Sequence, residues 1–218
     1  MKIIILNGFT LLLCAVSITA SAAQCNIGRV NEIAGNAKLE RKGRLINIGT
    51  DVLMCKGDKF ITDSSSVMKL KFRDGSLITI GKDSEFTVAE YKIFLNKPNV
   101  ALFELTKGAF RAVTGFITHR PHRYEVKTAV ATIGVRGTDF WGGYGLTENG
   151  LDVVMLSGKG VYVKNNQGET TELDAAGLGT TVLVGSAPSQ PIKWDAEKVA
   201  KAVETITPAI IIPTAATP

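Results

Sequence analysis

Histidine is almost absent from this sequence: His119 and His122 are the only two in 218 residues. They stand three apart around Arg120-Pro121, and the proline argues against a helix presenting both rings to one ion, so no zinc site is read here. Cysteine is scarce too, with Cys14, Cys25 and Cys55. None sits in a recognisable nucleophile context. A G-x-S-x-G elbow and a phosphate loop are both missing, and nothing selects any one carboxylate pair for acid–base work. No catalytic residue, metal or cofactor is therefore assigned, and a non-enzyme is expected. Charge of one sign does not cluster: the formal net charge of +5 is spread along the chain. That excludes a nucleic-acid stripe, and the G-x-x-G string Gly134–Gly137 lies in strand-rich text, where an RNA clamp has no helices to sit between.

Long apolar runs are also missing, except at the start. Lys2 is followed by an apolar stretch from Ile3 to Val16, then by Ser17, Thr19, Ala20, Ser21, Ala22 and Ala23. These are the three zones of a secretory signal peptide. Residues 1–23 are read as that peptide, cleaved near Ala22 or Ala23, and the protein as periplasmic or secreted. The apolar run is shorter than the ~20 residues that span a bilayer, and no membrane span is expected in the mature chain. Cys14 leaves with the peptide. The remaining Cys25 and Cys55 are expected to form a disulfide, since an even pair in an oxidising compartment is more often bonded than free.

What is plentiful is glycine, at 22 residues, placed between short apolar runs. Met68, Leu70 and Phe72 alternate with Lys69 and Lys71, the period of a half-buried strand. Asp74-Gly75 follows as a hairpin signal, and Ile78 and Ile80 resume the alternation. Tyr124 and Val126 alternate with Arg123, Glu125 and Lys127 in the same way. Two stretches, Phe103–Phe110 and Val154–Val161, echo each other as apolar strand, Lys/Gly turn, apolar strand. Strand-turn-strand units without helices between them indicate an all-β domain over residues 24–185, a roll or an irregular solenoid. Residues 186–192, with two prolines, read as a linker. Residues 193–206 read as a short amphipathic C-terminal helix with Val199, Val203 and Ile206 on one face. Residues 207–218 read as a disordered, proline-rich tail.

The most specific string is Gly134-Val135-Arg136-Gly137-Thr138-Asp139-Phe140. It resembles the central Gly-hydrophobic-Arg-Gly-Thr-acidic-Phe motif of the FecR domain family. Gly57-Asp58 with Phe60-Ile61-Thr62, then Phe72-Arg73-Asp74-Gly75-Ser76, and Leu105–Phe110 resemble further steps of that family in the same order. The resemblance covers roughly Gly28 to Val184. It implies an all-β periplasmic domain and a protein partner, since in the membrane-spanning members this domain relays a signal from an outer-membrane receptor. The sigma-binding segment and internal membrane helix of those regulators have no counterpart here, so the expectation is an exported protein-binding, signalling or scaffold module of the cell envelope.

Two readings of the central motif stay open. In one it is a structural corner, with Gly134 and Gly137 bending the backbone and Arg136 paired with Asp139. In the other, Arg136 and Asp139 face a partner beside Trp141 and Tyr144. Trp141 and Tyr144 among glycines also suggest a stacking platform for envelope glycan, peptidoglycan or polysaccharide, unless they cap the core.

Overall fold

The computed structural model describes residues 25–208. The signal-peptide segment 1–23 and most of the expected tail, residues 209–218, lie outside the described residues. The first strands are β1 (Cys25–Ala34), β2 (Ala37–Arg41), β3 (Arg44–Ile48), β4 (Leu53–Cys55), β5 (Lys59–Thr62), β6 (Val67–Phe72), β7 (Leu77–Ile80) and β8 (Glu85–Lys92). Next come β9 (Asn99–Lys107), β10 (Ala109–Val113), a 3-10 turn (Phe116–His119), β11 (His122–Lys127), β12 (Ala131–Val135), β13 (Thr138–Tyr144) and β14 (Gly150–Gly158). The chain ends with β15 (Val161–Asn165), β16 (Thr170–Leu173), β17 (Leu178–Leu183), β18 (Ile192–Lys193) and one helix, α1 (Ala196–Thr205).

These strands form two open nine-stranded sheets. The first has the order β18-β17-β14-β13-β10-β7-β6-β1-β4 and the second β16-β15-β12-β11-β9-β8-β5-β2-β3. From β6 onward the chain lays down mostly pairs of strands in one sheet and then crosses to the other, so both sheets grow in the same direction. The mostly-β expectation holds, and among the described residues neither sheet closes into a barrel. No helix among them is long and apolar enough to cross a membrane.

The alternation seen in the sequence is what builds the core. Met68, Leu70, Phe72, Ile78, Ile80, Tyr124 and Val126 all turn inward and are buried. Between the sheets a row of rings, Tyr91, Phe72, Phe103, Phe86, Phe110 and Phe140, runs with successive centroids 5.1–5.5 Å apart. Such tilted and edge-on pairs contribute about 0.5–1.5 kcal/mol each beyond simple burial. Cys25 and Cys55 face one another across β1 and β4 and are joined as a disulfide.

Two expectations need correction. Residues 186–192 are not a free linker. Ser189 N–H donates to Thr181 O (3.0 Å), Thr180 Oγ1 donates to Ser189 O (2.8 Å), and Ile192 pairs with Gly179. A turn with Gly185 at positive φ ends β17, and hydroxyls of Thr180 and Ser189 then tie the segment back to that strand. The helix forms, but its buried face is Ala202 and Ile206 with Val199, while Val203 is 40% exposed. Small Ala202 lets the helix lie close to the sheet, and this turns Val203 outward.

Candidate functional site

Five polar residues of the family-like motifs, Asp58, Thr62, Asp74, Ser76 and Thr138, are buried and tie down turns. Asp58 is fully buried and holds Arg41 through two bonds of 2.7 Å, while accepting Cys55 N–H at 2.7 Å. That contact raises the Arg41 pKa, chiefly through the side-chain bond to Asp58. Thr62 Oγ1 donates to Gly81 O at 2.6 Å. Asp74 takes Tyr91 Oη–H at 2.7 Å and the Ser76 and Ile117 N–H groups. The Asp74-Gly75 turn therefore spans Arg73–Ser76 rather than two residues, because the Asp74 carboxylate turns inward to anchor the 3-10 turn. Gly115 is required there, since a Cβ on it would lie 2.1 Å from Asp74 O.

The central motif is a corner where the chain passes from the second sheet to the first. Gly137 has φ of +98°, and Gly134 lies under the Tyr162 ring, which a Cβ would meet at 1.8 Å. Thr138 Oγ1 donates to Gly160 O at 2.8 Å and is buried. The Arg136–Asp139 pairing is not made. Arg136 instead forms a bidentate bridge to Glu172 on β16 (2.6 and 3.2 Å), and Asp139 is held by Arg111 on β10 (2.6 and 2.9 Å). Gly137 turns the backbone between them, so the two side chains belong to different sheets.

The four residues read as a binding group are not brought together. Arg136 and Asp139 lie at the corner. Trp141 sits on the outer side of the first sheet beneath α1, 1% exposed, with Nε1–H donating to Thr205 Oγ1 at 3.0 Å. It packs with Trp194, Val154 and Ile206 and offers no open platform for a sugar ring. Tyr144 points inward at the far end of β13, where its Oη accepts Ala129 N–H at 3.3 Å. Both ring nitrogens of His122 contact backbone carbonyls, those of Arg120 and Val135, at 2.8 and 2.9 Å.

One end of the sandwich gathers the corner, the Arg73–Ser76 turn, the 3-10 turn and the loop 93–98. Asn99, buried at the root of that loop, accepts Phe94 N–H (2.9 Å) and donates to Ile117 O (3.0 Å), and Arg120 donates to Leu95 O (3.2 Å). So braced, the loop and turn hold apolar side chains in solvent: Leu95 is 87% exposed, Phe116 49% and Ile93 42%. Two adjoining clefts of about 370 and 330 Å³ meet at Ile93 and Phe116. Arg73 and Lys92 line one, His119 and Arg120 the other, and no acidic side chain lines either among the described residues. The exposed Leu95 and Phe116 were not singled out by sequence reasoning, because a lone apolar residue in a loop looks the same whether covered or bare. The Asn96-Lys97-Pro98 turn beside Leu95 was the available signal.

Comparisons with known proteins agree with this architecture. No curated protein matches the chain. Two crystal structures, each of a candidate anti-sigma factor from Parabacteroides distasonis, resemble it with a TM-score of 0.52 at 15% identity, over 65% of this chain. The chain spans 62% of the length of those structures, and at this identity the likeness is one of fold. Residues 58–159, from the buried Asp58 to Lys159 beside the central corner, match the model of the FecR family, described as FecR protein, and that segment of the chain is a FecR domain.

Proposed function

We propose that this protein is a non-enzymatic recognition module of the cell envelope, exported by its N-terminal signal peptide. It binds a protein partner through the apolar, basic-lined end of the sandwich and serves as a signalling or scaffold component. The observation that carries this reading is the exposure of Leu95, Phe116 and Ile93 on braced backbone beside Arg73 and Arg120. Apolar side chains held in water next to clefts of one charge sign are a feature of binding surfaces. The FecR domain and the disulfide support an exported signalling role, since such bonds persist in oxidising compartments. The pairwise winding of the chain between two layers supports a β-roll over a solenoid of fixed repeat. Absence of an enzyme activity is supported by the motif carboxylates Asp58 and Asp74, which are consumed in holding turns.

The test is capture of partners from an envelope extract by the mature, oxidised protein. The Leu95→Asp/Phe116→Asp variant is run beside it, with Leu183→Asp at another exposed apolar site as control. The expected result is a specific protein lost with the double variant and kept with the control. Retention of every partner by the double variant, or turnover of an envelope polymer by the purified protein, overturns the proposal.

A further inference from the structure

The second sheet ends differently on its two sides. At one side β16 is crossed by the segment Ser186–Pro191: Asn165 Nδ2 donates to Ser186 O at 3.0 Å and Thr171 Oγ1 to Ser189 O at 3.3 Å. Pro188 and Pro191 lie in that segment, which links β16 to β17 through the hydroxyls of Thr171 and Thr180, both donating to Ser189 O. At the other side β3 has β2 as its one neighbour and nothing beyond it among the described residues.

The geometry of β3 says which of its groups are free. The β2–β3 hairpin turns in two residues, Lys42 and Gly43, with φ of +53° and +72°. A turn of this kind makes the flanking Arg41 and Arg44 a hydrogen-bonded pair. Pairs alternate along an antiparallel ladder, so Ile46 and Ile48 also bond to β2, opposite Leu39 and Ala37. The N–H and C=O groups of Leu45 and Asn47 therefore point away from the sheet. The side chains are open as well: Leu45 is 55% exposed and Ile46 47%, although Ile46 shares the inward side with the fully buried Leu39.

We propose that β3 is a self-association edge, through which two copies of this chain pair antiparallel about a two-fold axis at Ile46. Outward groups must meet outward groups. Setting Leu45 opposite Asn47 of the second copy, and the reverse, closes two hydrogen-bonded pairs. The same register puts Ile46 against Ile46 of the second copy in a non-hydrogen-bonded pair, where facing side chains lie closest. It covers the apolar surface that each copy leaves half in water. The charges agree with it: the basic tips at Lys42 and Arg44 go to opposite ends of the joint, away from their own kind. A two-fold joint uses the β3 edge of both copies, so this contact closes at two copies.

The test is the mass in solution of the mature, oxidised chain across a dilution series, by sedimentation or light scattering. A dimer that dissociates on dilution is expected. Asn47→Pro removes an N–H that points outward and leaves the bonds to β2 in place, so it keeps the circular dichroism spectrum and weakens the dimer by about tenfold or more, the worth of one to two hydrogen bonds. Under mild oxidation Ile46→Cys gives a covalent dimer, whereas Leu45→Cys, facing Asn47, does not. A chain that is monomeric throughout, or a dimer indifferent to Asn47→Pro that the Ile46→Cys variant does not cross-link, overturns the proposal. These outcomes are independent of partner capture at the Leu95 end.

Discussion

Tyr91 and Tyr124 show how differently two buried hydroxyls can act within one core. Tyr91 Oη–H donates to Asp74, while the Tyr124 hydroxyl has no hydrogen-bond partner among the described residues. Burial raises both phenol pKa values, with the Asp74 charge adding to each. An unbonded buried polar group costs about 1–3 kcal/mol, so Tyr124→Phe is expected to leave stability unchanged or raise it by about 1 kcal/mol. Tyr91→Phe frees one side of Asp74 and is expected to lower stability by about 1–3 kcal/mol in denaturant unfolding. A phenol whose folded pKa is raised contributes fully below its unfolded pKa of about 10, and its contribution falls as pH rises through that range. Stability should therefore drop above about pH 10, and less steeply in Tyr124→Phe. A denaturation midpoint indifferent to alkali would refute this. At this scale the sequence was partly legible. Inward residues followed from alternation, and Gly134 and Gly137 from the need for close approach and positive φ. The partners of Arg136 and Asp139 did not follow, because spacing along the chain says nothing about which sheet lies on each side of Gly137.

The element with most to say about the sheet's outer face is α1. Its N-terminus is capped by Asp195, whose carboxylate accepts Lys198 N–H at 2.7 Å. Lys198 Nζ reaches the fully buried Asp152 at 2.8 Å and lies 4.2 Å from the centre of the Trp194 ring. Thr205 O accepts Lys82 N–H at 2.9 Å. These contacts dock the helix on its own sheet, over Trp141. That the helix would form was legible from its apolar spacing; where it would dock was not, because Asp152 and Trp141 lie far back in the chain. The only two tryptophans of the protein, Trp141 and Trp194, both lie in this cluster, so fluorescence reports on the packing between the helix and the first sheet. Lys198→Met leaves Asp152 with the hydroxyls of Thr147 and Thr181 as its side-chain partners. Loss of the charge partner of a buried carboxylate is expected to cost about 1–3 kcal/mol and to shift the emission to the red well before global unfolding. An unchanged spectrum with unchanged stability would show that the helix is held by its apolar face alone.

At the scale of the whole molecule, the two ends of the first sheet are secured by different means. On one side α1 covers β13 and β14; on the other, β4 is only three residues long and is held to β1 by the disulfide. The β content of the whole was legible from alternation and the ordered motifs, but the layering was not. The echoing stretches Phe103–Phe110 and Val154–Val161 look like hairpins, yet each passes from one sheet to the other, with Gly108, Gly158 and Gly160 at positive φ in the corners. A strand bonded to a distant neighbour and one bonded to the next in line carry the same alternation, so pairing is decided by the corners. This layout fixes what reduction does. Cys25 and Cys55 are 30 residues apart, and opening a loop of that length removes about 3–4 kcal/mol in the chain-entropy model. For a domain of this size each kcal/mol is worth about 2–4 °C, so the melting temperature should fall by about 10 °C. Because the staple lies at the β4 side, tryptophan emission of the reduced protein at room temperature should match that of the oxidised one, and Cys25→Ser/Cys55→Ser should behave as the reduced form does. Melting that does not change on reduction would mean that β4 pairing closes this edge without the covalent bond. An emission shift before melting would mean that the two sides of the sheet are coupled through the aromatic row between them.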